Sequence, residues 1–157
     1  MPVETQFPDF KWNHEQIVQY AITSVQEAIQ RALMEAVNLA KQTNTYQDRT
    51  NNLRSSIGYV LYYNGQMVAN HFEAGGKGTE GNGSQGRQKG LEVAKQAAAE
   101  SGINGFVGVL VAGMGYARWV ENRGFDVITG SWLQVDDLLK RNFDGIKEVS
   151  GLDFNRR

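Results

Sequence analysis

Between Gly113 and Gly130 the chain reads GMGYARWVENRGFDVITG, and this stretch gathers the side chains best suited to polar chemistry: Tyr116, Arg118, Glu121, Arg123 and Asp126, interleaved with Trp119 and Phe125. A phenol, two guanidinium groups and two carboxylates can hold an anion, form ion pairs or line a contact surface. No histidine or cysteine stands among them to act as nucleophile or tuned base. The stretch therefore does not ask for covalent or acid–base catalysis, and ion pairs or interface contacts explain its charges better.

Two further patterns are candidates for binding chemistry. Gly76-Lys77-Gly78-Thr79-Glu80-Gly81 matches G-x-G-x-x-G and follows a predicted strand. A dinucleotide site needs its third glycine in the first turn of a helix, plus an acidic residue at the end of the next strand to hold the ribose. The next predicted helix starts near Gln88, too late, and the following strand runs into Gly113-Met114-Gly115 with no carboxylate. A P-loop fails as well, because Lys77 is followed by Gly78 rather than Ser or Thr. His71 and Glu73 alternate on one side of a strand and supply two metal ligands where a site needs more. With no cysteine and only His14 besides His71, disulfides, thiolate metal sites and histidine clusters are excluded. No catalytic residue, cofactor or metal is expected.

The elements that must position these residues follow from patterning. The 157 residues suit one domain, and 16 Lys and Arg against 17 Asp and Glu leave no whole-surface field to recruit nucleic acid or acidic membrane. No leader-like or membrane-length apolar run is present, which predicts a soluble protein of the cell interior. Residues 1–12 form an arm with Pro2 and Pro8 against helix and with Phe7, Phe10 and Trp12 free to dock on their own domain or a neighbour. Asn13 and Gln16 resemble a capping box opening a helix over about 14–43, with Val18, Ile22, Val25, Ile29, Ala32, Leu33, Ala36 and Ala40 in one apolar stripe.

After the polar break 44–52, Asn64-Gly65 between two β-forming runs predicts a hairpin that sets Tyr63 opposite Gln66, Leu61 opposite Val68, Tyr59 opposite Asn70 and Ile57 opposite Phe72. Residues 73–90 hold almost no apolar side chain, which predicts a mobile surface loop. A helix over about 88–101 with Leu91, Ala94, Ala97 and Ala98 inward, and a buried strand over 105–112, come next. Tyr116 to Asn122 then forms two helical turns that set Tyr116 and Val120 toward the core and Arg118 and Glu121 outward, closed by Gly124. Phe125 to Thr129 reads as a short strand, and Ser131 with Gln134 as a second capping box opening a helix over about 132–144, with Leu138, Leu139 and Phe143 inward. The expected fold is α+β: a mainly antiparallel sheet with a long N-terminal helix and further helices packed on it, one domain over 13–144 and a tail over 145–157.

Two separated pieces resemble a known family. DRTNNLRSSIGYVLYYNG resembles the "TGNLRxSI" element, and VAGMGYARWVENRGFDVI the "YAxYVExG" element, of the head–tail joining (neck, tail-completion or minor structural) proteins of tailed double-stranded-DNA phages. Here Asn51 stands where that family usually has Gly, Trp119 where it often has Tyr or Phe, and Asn122-Arg123-Gly124 replaces a shorter ending. The resemblance implies a non-enzymatic virion component that forms a homo-oligomeric ring at the head–tail junction and meets portal or adaptor and tail proteins. It further implies residence in the host cytoplasm during assembly, with no membrane and no sequence-specific nucleic acid as partner. By matching position it nominates Leu53, Arg54 and Ser55, and Tyr116, Ala117, Val120 and Glu121, with Arg118, Trp119 and Arg123 beside them, as contact residues. Leu53, Ala117 and Val120 also suit a core, and Arg54 and Glu121 a structural ion pair. The competing classes are a small-ligand or nucleotide-binding enzyme built on the loop at 75–83, and a toxin-like or regulatory module carried by a prophage.

Overall fold

The computed structural model describes residues 14–43, 46–124 and 126–150, with the backbone alone for His14, Trp119 and 146–150. The arm at 1–12, the Asn13 cap and Phe125 lie outside the described residues. The chain runs α1 (His14–Gln42), α2 (Asn52–Ser55), β1 (Ile57–Tyr63), β2 (Gln66–His71), α3 (Ser84–Glu100), β3 (Phe106–Ala112), α4 (Ala117–Asn122), α5 (Thr129–Trp132) and α6 (Val135–Ser150). The strands form one antiparallel sheet in the order β2-β1-β3. The fold is therefore α+β, with a long N-terminal helix and further helices on an antiparallel sheet.

Strand alternation sorts the sheet into two covered faces. Ile57, Tyr59 and Leu61 of β1, with Phe106, Leu110 and Ala112 of β3, pack with Leu33, Val37 and Ala40 of α1 and with Ala117 and Val120 of α4. Val60, Tyr62, Val109 and Val111 face the other way, onto Ala94 and Ala98 of α3. The first five residues of β1 are all buried because this central strand is covered on both sides. Burying a side chain such as Leu61 there contributes roughly 1.5–3 kcal/mol. Ala32 and Ala36, small residues on the α1 stripe, let α6 approach through Val135 and Leu138. Of that stripe Ala32, Leu33, Ala36 and Ala40 are buried and Ile22, Val25 and Ile29 partly so, but Val18, with Ile17 and Tyr20 near the start of the helix, remains exposed. Among the described residues no helix is long and apolar enough to cross a membrane.

Several expected boundaries are corrected. Asn64 (φ 47°) and Gly65 (φ 80°) do make the hairpin turn, and Tyr63 pairs with Gln66. A bulge at Val68 then shifts the register, so that Leu61 pairs with Ala69, Val60 with Asn70 and Tyr59 with His71. The bulge carries Ala69 to the α1 face and stacks His71 on Tyr59 with ring centroids 6.3 Å apart. Helix α3 starts at Ser84 rather than near Gln88, extending its buried stripe to Gly86, Gly90, Ala94 and Ala98. Among the described residues no strand follows Gly124: residues 126–128 are irregular and Thr129–Trp132 is the helical turn α5.

The second capping box is absent too. Ser131 Oγ donates back to the Ile128 carbonyl, Gln134 Nε2 donates to the Gly130 carbonyl, and α6 begins only at Val135. Helix α6 runs to Ser150, past the expected boundary at 144, so the first residues of the predicted tail are helical.

Candidate functional site

The two family-like elements lie 58 residues apart at Ser56 and Met114, yet they meet there. Ser56 ends the turn of α2, with its hydroxyl donating to the Leu53 carbonyl at 2.7 Å. The amides of Gly113 and Met114 donate to its carbonyl (3.1 Å) and hydroxyl oxygen (3.3 Å). The joint is tight, because a Cβ on Gly113 would strike the backbone of Gly90 in α3. Tyr116, at the start of α4, extends the contact: its hydroxyl is hydrogen-bonded to the side chain of Thr50 and lies near Asp48. Burial, then the Asp48 charge, push the Tyr116 phenol upward, against the Thr50 hydrogen bond.

The charged and polar side chains of the first element are spent on backbone. Arg54 Nη1 and Nη2 donate to the carbonyls of Lys41 (3.1 Å) and Thr43 (2.9 Å), covering the end of α1 where a cation suits both the free carbonyls and the helix dipole. Its guanidinium sits 5.2 Å from the ring centroid of Tyr46, and its own amide donates to Asp48 Oδ2 at 2.7 Å. Ser55, fully buried, exchanges two hydrogen bonds with Gly75: Oγ accepts from the amide at 2.9 Å and donates to the carbonyl at 3.1 Å. Asn51 is buried in the left-handed conformation (φ 62°), which Asn tolerates better than most residues with a Cβ. Its amide group donates to the carbonyls of Gly78 (2.8 Å) and Gly81 (2.6 Å), while Oδ1 accepts from the Gly78 amide at 2.7 Å.

These contacts correct the reading of 73–90 as a loop without anchors. Its ordering comes from its own backbone, held by side chains of 51–55 and by the Glu80 amide donating to the Arg49 carbonyl at 3.0 Å. A side chain on Gly78 would run into the carbonyls of Asp48 and Arg49, so glycine here serves close approach rather than freedom. The same contacts bear on the phosphate-cradle geometry. The amides of Gly75 and Gly78 are taken by Ser55 and Asn51, that of Ser84 by Asn82, and that of Gly86 by Asn52. Even with the earlier start of α3, Gly81 lies outside the helix.

The second element is built on a carboxylate cap. Glu121 Oε1 accepts from the amides of Ile128 (2.8 Å), Thr129 (3.0 Å) and Val127 (3.4 Å) and from the Thr129 hydroxyl (3.0 Å). Asp126 Oδ1 accepts from the Gly130 amide at 3.0 Å. Together they hold the first turn of α5. Burial alone would raise the Glu121 carboxyl, but the donors from Ile128, Thr129 and Val127 outweigh it and hold it below the ordinary carboxylate value.

The nominated residues therefore divide. Leu53, Ala117 and Val120 are core. Arg54, Ser55 and Glu121 hold backbone, and Glu121 does not simply face outward as expected. Tyr116 is 39% exposed rather than core-facing, and Arg118 and Arg123 are exposed; the side chain of Trp119 lies outside what is described. Sequence reasoning missed Asn51, Asp48 and Tyr46. Asn at a position where the resembled family has Gly was the available signal for the first. The Tyr46 hydroxyl is buried with no hydrogen-bond partner among the described residues, and burial pushes its phenol up to about 12. His71 Nε2 and Glu73 Oε1 stand 3.6 Å apart, and no group of three metal-ligating residues forms among the described residues. Comparison of the chain with protein-family models, curated proteins and solved structures finds no match.

Proposed function

We propose that the chain is a non-enzymatic virion subunit that assembles with copies of itself into a ring at the head–tail junction of a tailed double-stranded-DNA phage, as a neck, connector or tail-completion protein. The observation that supports this most is the joint at Ser56, where the two family-like elements, distant in sequence, pack together through Gly113, Met114 and Tyr116. Around it Arg54, Glu121 and Asp126 hold loop and helix ends, the work of a scaffold rather than of a reaction centre. Tyr116, Arg118 and Arg123 stay exposed for contact with a neighbour. A closed ring needs a heterologous interface, two different surfaces that meet on rotation.

In this reading the partners are further copies, a portal or adaptor on the head side and tail proteins on the other, in the host cytoplasm during assembly and then in the virion. The test is to silence the gene in the phage or prophage that carries it. The expected result is filled heads and separate tails that fail to join, rescued by the wild-type chain. Normal infectious particles without the protein would overturn the reading.

A further inference from the structure

We infer that Asn82, alone among the three Asn-Gly pairs of this chain, is a site of spontaneous deamidation, and that the isoaspartate formed there loosens the glycine-rich segment as the protein ages. Asn64-Gly65, Asn82-Gly83 and Asn104-Gly105 each set a carboxamide beside a backbone nitrogen that no neighbouring side chain shields, and all of these asparagines are exposed. The reaction needs only water. The glycine nitrogen, giving its proton to hydroxide, bonds to the asparagine Cγ; the Cγ–Nδ2 bond breaks, and Nδ2 leaves as ammonia with a proton from water. Water then opens the resulting cyclic imide. Opening at the Cγ carbonyl yields aspartate, and opening at the backbone carbonyl yields isoaspartate, with the chain routed through Cβ. The net change is amide plus water to acid plus ammonia, with nothing oxidised or reduced.

A single hydrogen bond sets the other two pairs apart from Asn82. Asn64 Oδ1 accepts from the Gly105 amide at 2.8 Å, beside the bond of the Asn64 amide to the Gly105 carbonyl at 3.0 Å. The Asn64 carboxamide must leave Gly105 before its Cγ can turn to the Gly65 nitrogen, and the Gly105 amide must leave Asn64 before it can lose its proton and attack Asn104. One bond therefore restrains the electrophile of one pair and the nucleophile of another. Asn82 has the reverse arrangement: its Oδ1 accepts from the Ser84 amide at 3.0 Å, a side-chain turn that closes over Gly83 and draws electrons from Cγ. Gly83 caps α3 in the left-handed conformation (φ 77°), and its own amide has no acceptor among the described residues.

The neighbours of Asn82 turn this chemistry into a structural event. On one side the Gly81 carbonyl accepts from Asn51 Nδ2 at 2.6 Å; on the other, Gly83 is buried so closely against Ser55 and the Asn51 carbonyl that even a Cβ would strike them. Isoaspartate adds one backbone carbon between these fixed points, so one of them must release. Aspartate keeps the backbone length and sets a negative charge before the N-terminus of α3, where the helix dipole favours it. Only the isoaspartate branch undoes the anchoring. The inference does not depend on the ring-subunit reading.

Peptide mass spectrometry on the full-length protein tests it. The folded chain is aged at mildly alkaline pH in water enriched in heavy oxygen and then digested with trypsin in ordinary water, so that deamidation after unfolding carries no label. Trypsin puts Asn64, Asn82 and Asn104 on separate peptides, 55–77, 78–87 and 96–118. Peptide 78–87 should take up label at least about tenfold faster than the other two, and all should react at comparable rates when the chain is aged in urea. Asn64→Gly, suited to a turn whose central residues both have positive φ, should speed labelling of 96–118 at least about tenfold and leave 78–87 unchanged. Equal rates in the folded wild type, or faster labelling of either other peptide, would overturn the assignment to Asn82. A folded Asn64→Gly whose Asn104 stays unlabelled would overturn the protecting role of the Asn64–Gly105 bond; should that variant fail to fold, fast hydrogen exchange of the Gly105 amide in wild type would do the same. Trypsin should also cut aged wild type at Lys77 faster than fresh protein, in proportion to its isoaspartate, whereas Asn82→Ser, which keeps an acceptor for the Ser84 amide but closes no imide, should not change with age. Isoaspartate-rich protein cut at the fresh rate would overturn the loosening of the segment.

Discussion

One carboxylate oxygen of Glu121 gathers the amides that open α5, so its charge state is tied to the stability of that corner. Glu121→Gln should cost about 1 kcal/mol at neutral pH, the usual scale for a lost charged cap. The sign with pH follows from linkage. The folded pKa lies below the ordinary value of 4.5. The stabilisation is therefore complete above that value and is lost as pH falls through the folded pKa. Urea titrations across the acid range should show wild type and Glu121→Gln converging; a gap unchanged in acid would mean that the charge of Glu121 does not contribute. Tyr46 makes the opposite case. Its hydroxyl is buried without a partner among the described residues, while its ring lies under Arg54. Tyr46→Phe keeps the ring and removes the unsatisfied oxygen, so it should leave stability unchanged or raise it by up to about 1 kcal/mol. A loss greater than that would reveal a hydrogen bond to the hydroxyl.

At the scale of elements, the glycine-rich segment is held by Asn51, whose side chain makes three hydrogen bonds to its backbone. Asn51→Ala should cost roughly 2–4 kcal/mol, combining left-handed strain with unsatisfied loop groups. Asn51→Gly removes the strain but not the loss, and should be intermediate. In both variants trypsin should cut at Lys77 much faster than in wild type; equal rates would show that the clamp does not order the loop. This anchoring was not legible in the sequence, because composition reports side chains and the loop is held through its own amides and carbonyls. Where local pattern decides structure, reading succeeded: the α1 stripe at Ala32, Leu33, Ala36 and Ala40, the Asn64-Gly65 turn and the left-handed Gly124 all follow from nearest neighbours. Distant partners defeated it elsewhere. The β-forming run at 126–129 makes no strand because Glu121 takes the amides of Val127, Ile128 and Thr129 and α5 opens at Thr129, and the bulge at Val68 leaves no mark in the alternation of apolar residues. The start of α3 was hidden by Gly86 and Gly90, poor helix formers that its close packing requires.

At the scale of the molecule, Asn51, Arg54, Ser55 and Glu121 are committed to their own chain's backbone, and Tyr116, Arg118 and Arg123 are exposed. Glu121→Lys is therefore a poor probe of an interface, since it would break the cap of α5 whether or not another subunit lies near. Arg118 is the cleaner one: it is exposed on α4, two residues after Tyr116, while Ala117 and Val120 anchor the same helix in the core. Arg118→Glu should leave the melting transition within about 0.5 kcal/mol of wild type, as an exposed substitution does. If α4 faces a neighbour in a ring, the reversed charge meets a surface matched to a cation and should block assembly through like-charge repulsion. Such a defect should be partly relieved by raised salt, which screens surface charges over about 8–10 Å at physiological strength and less above it. Thermal melts paired with particle assembly on the same variant separate the two effects. Normal particles from a stable Arg118→Glu would remove α4 from the contact surface.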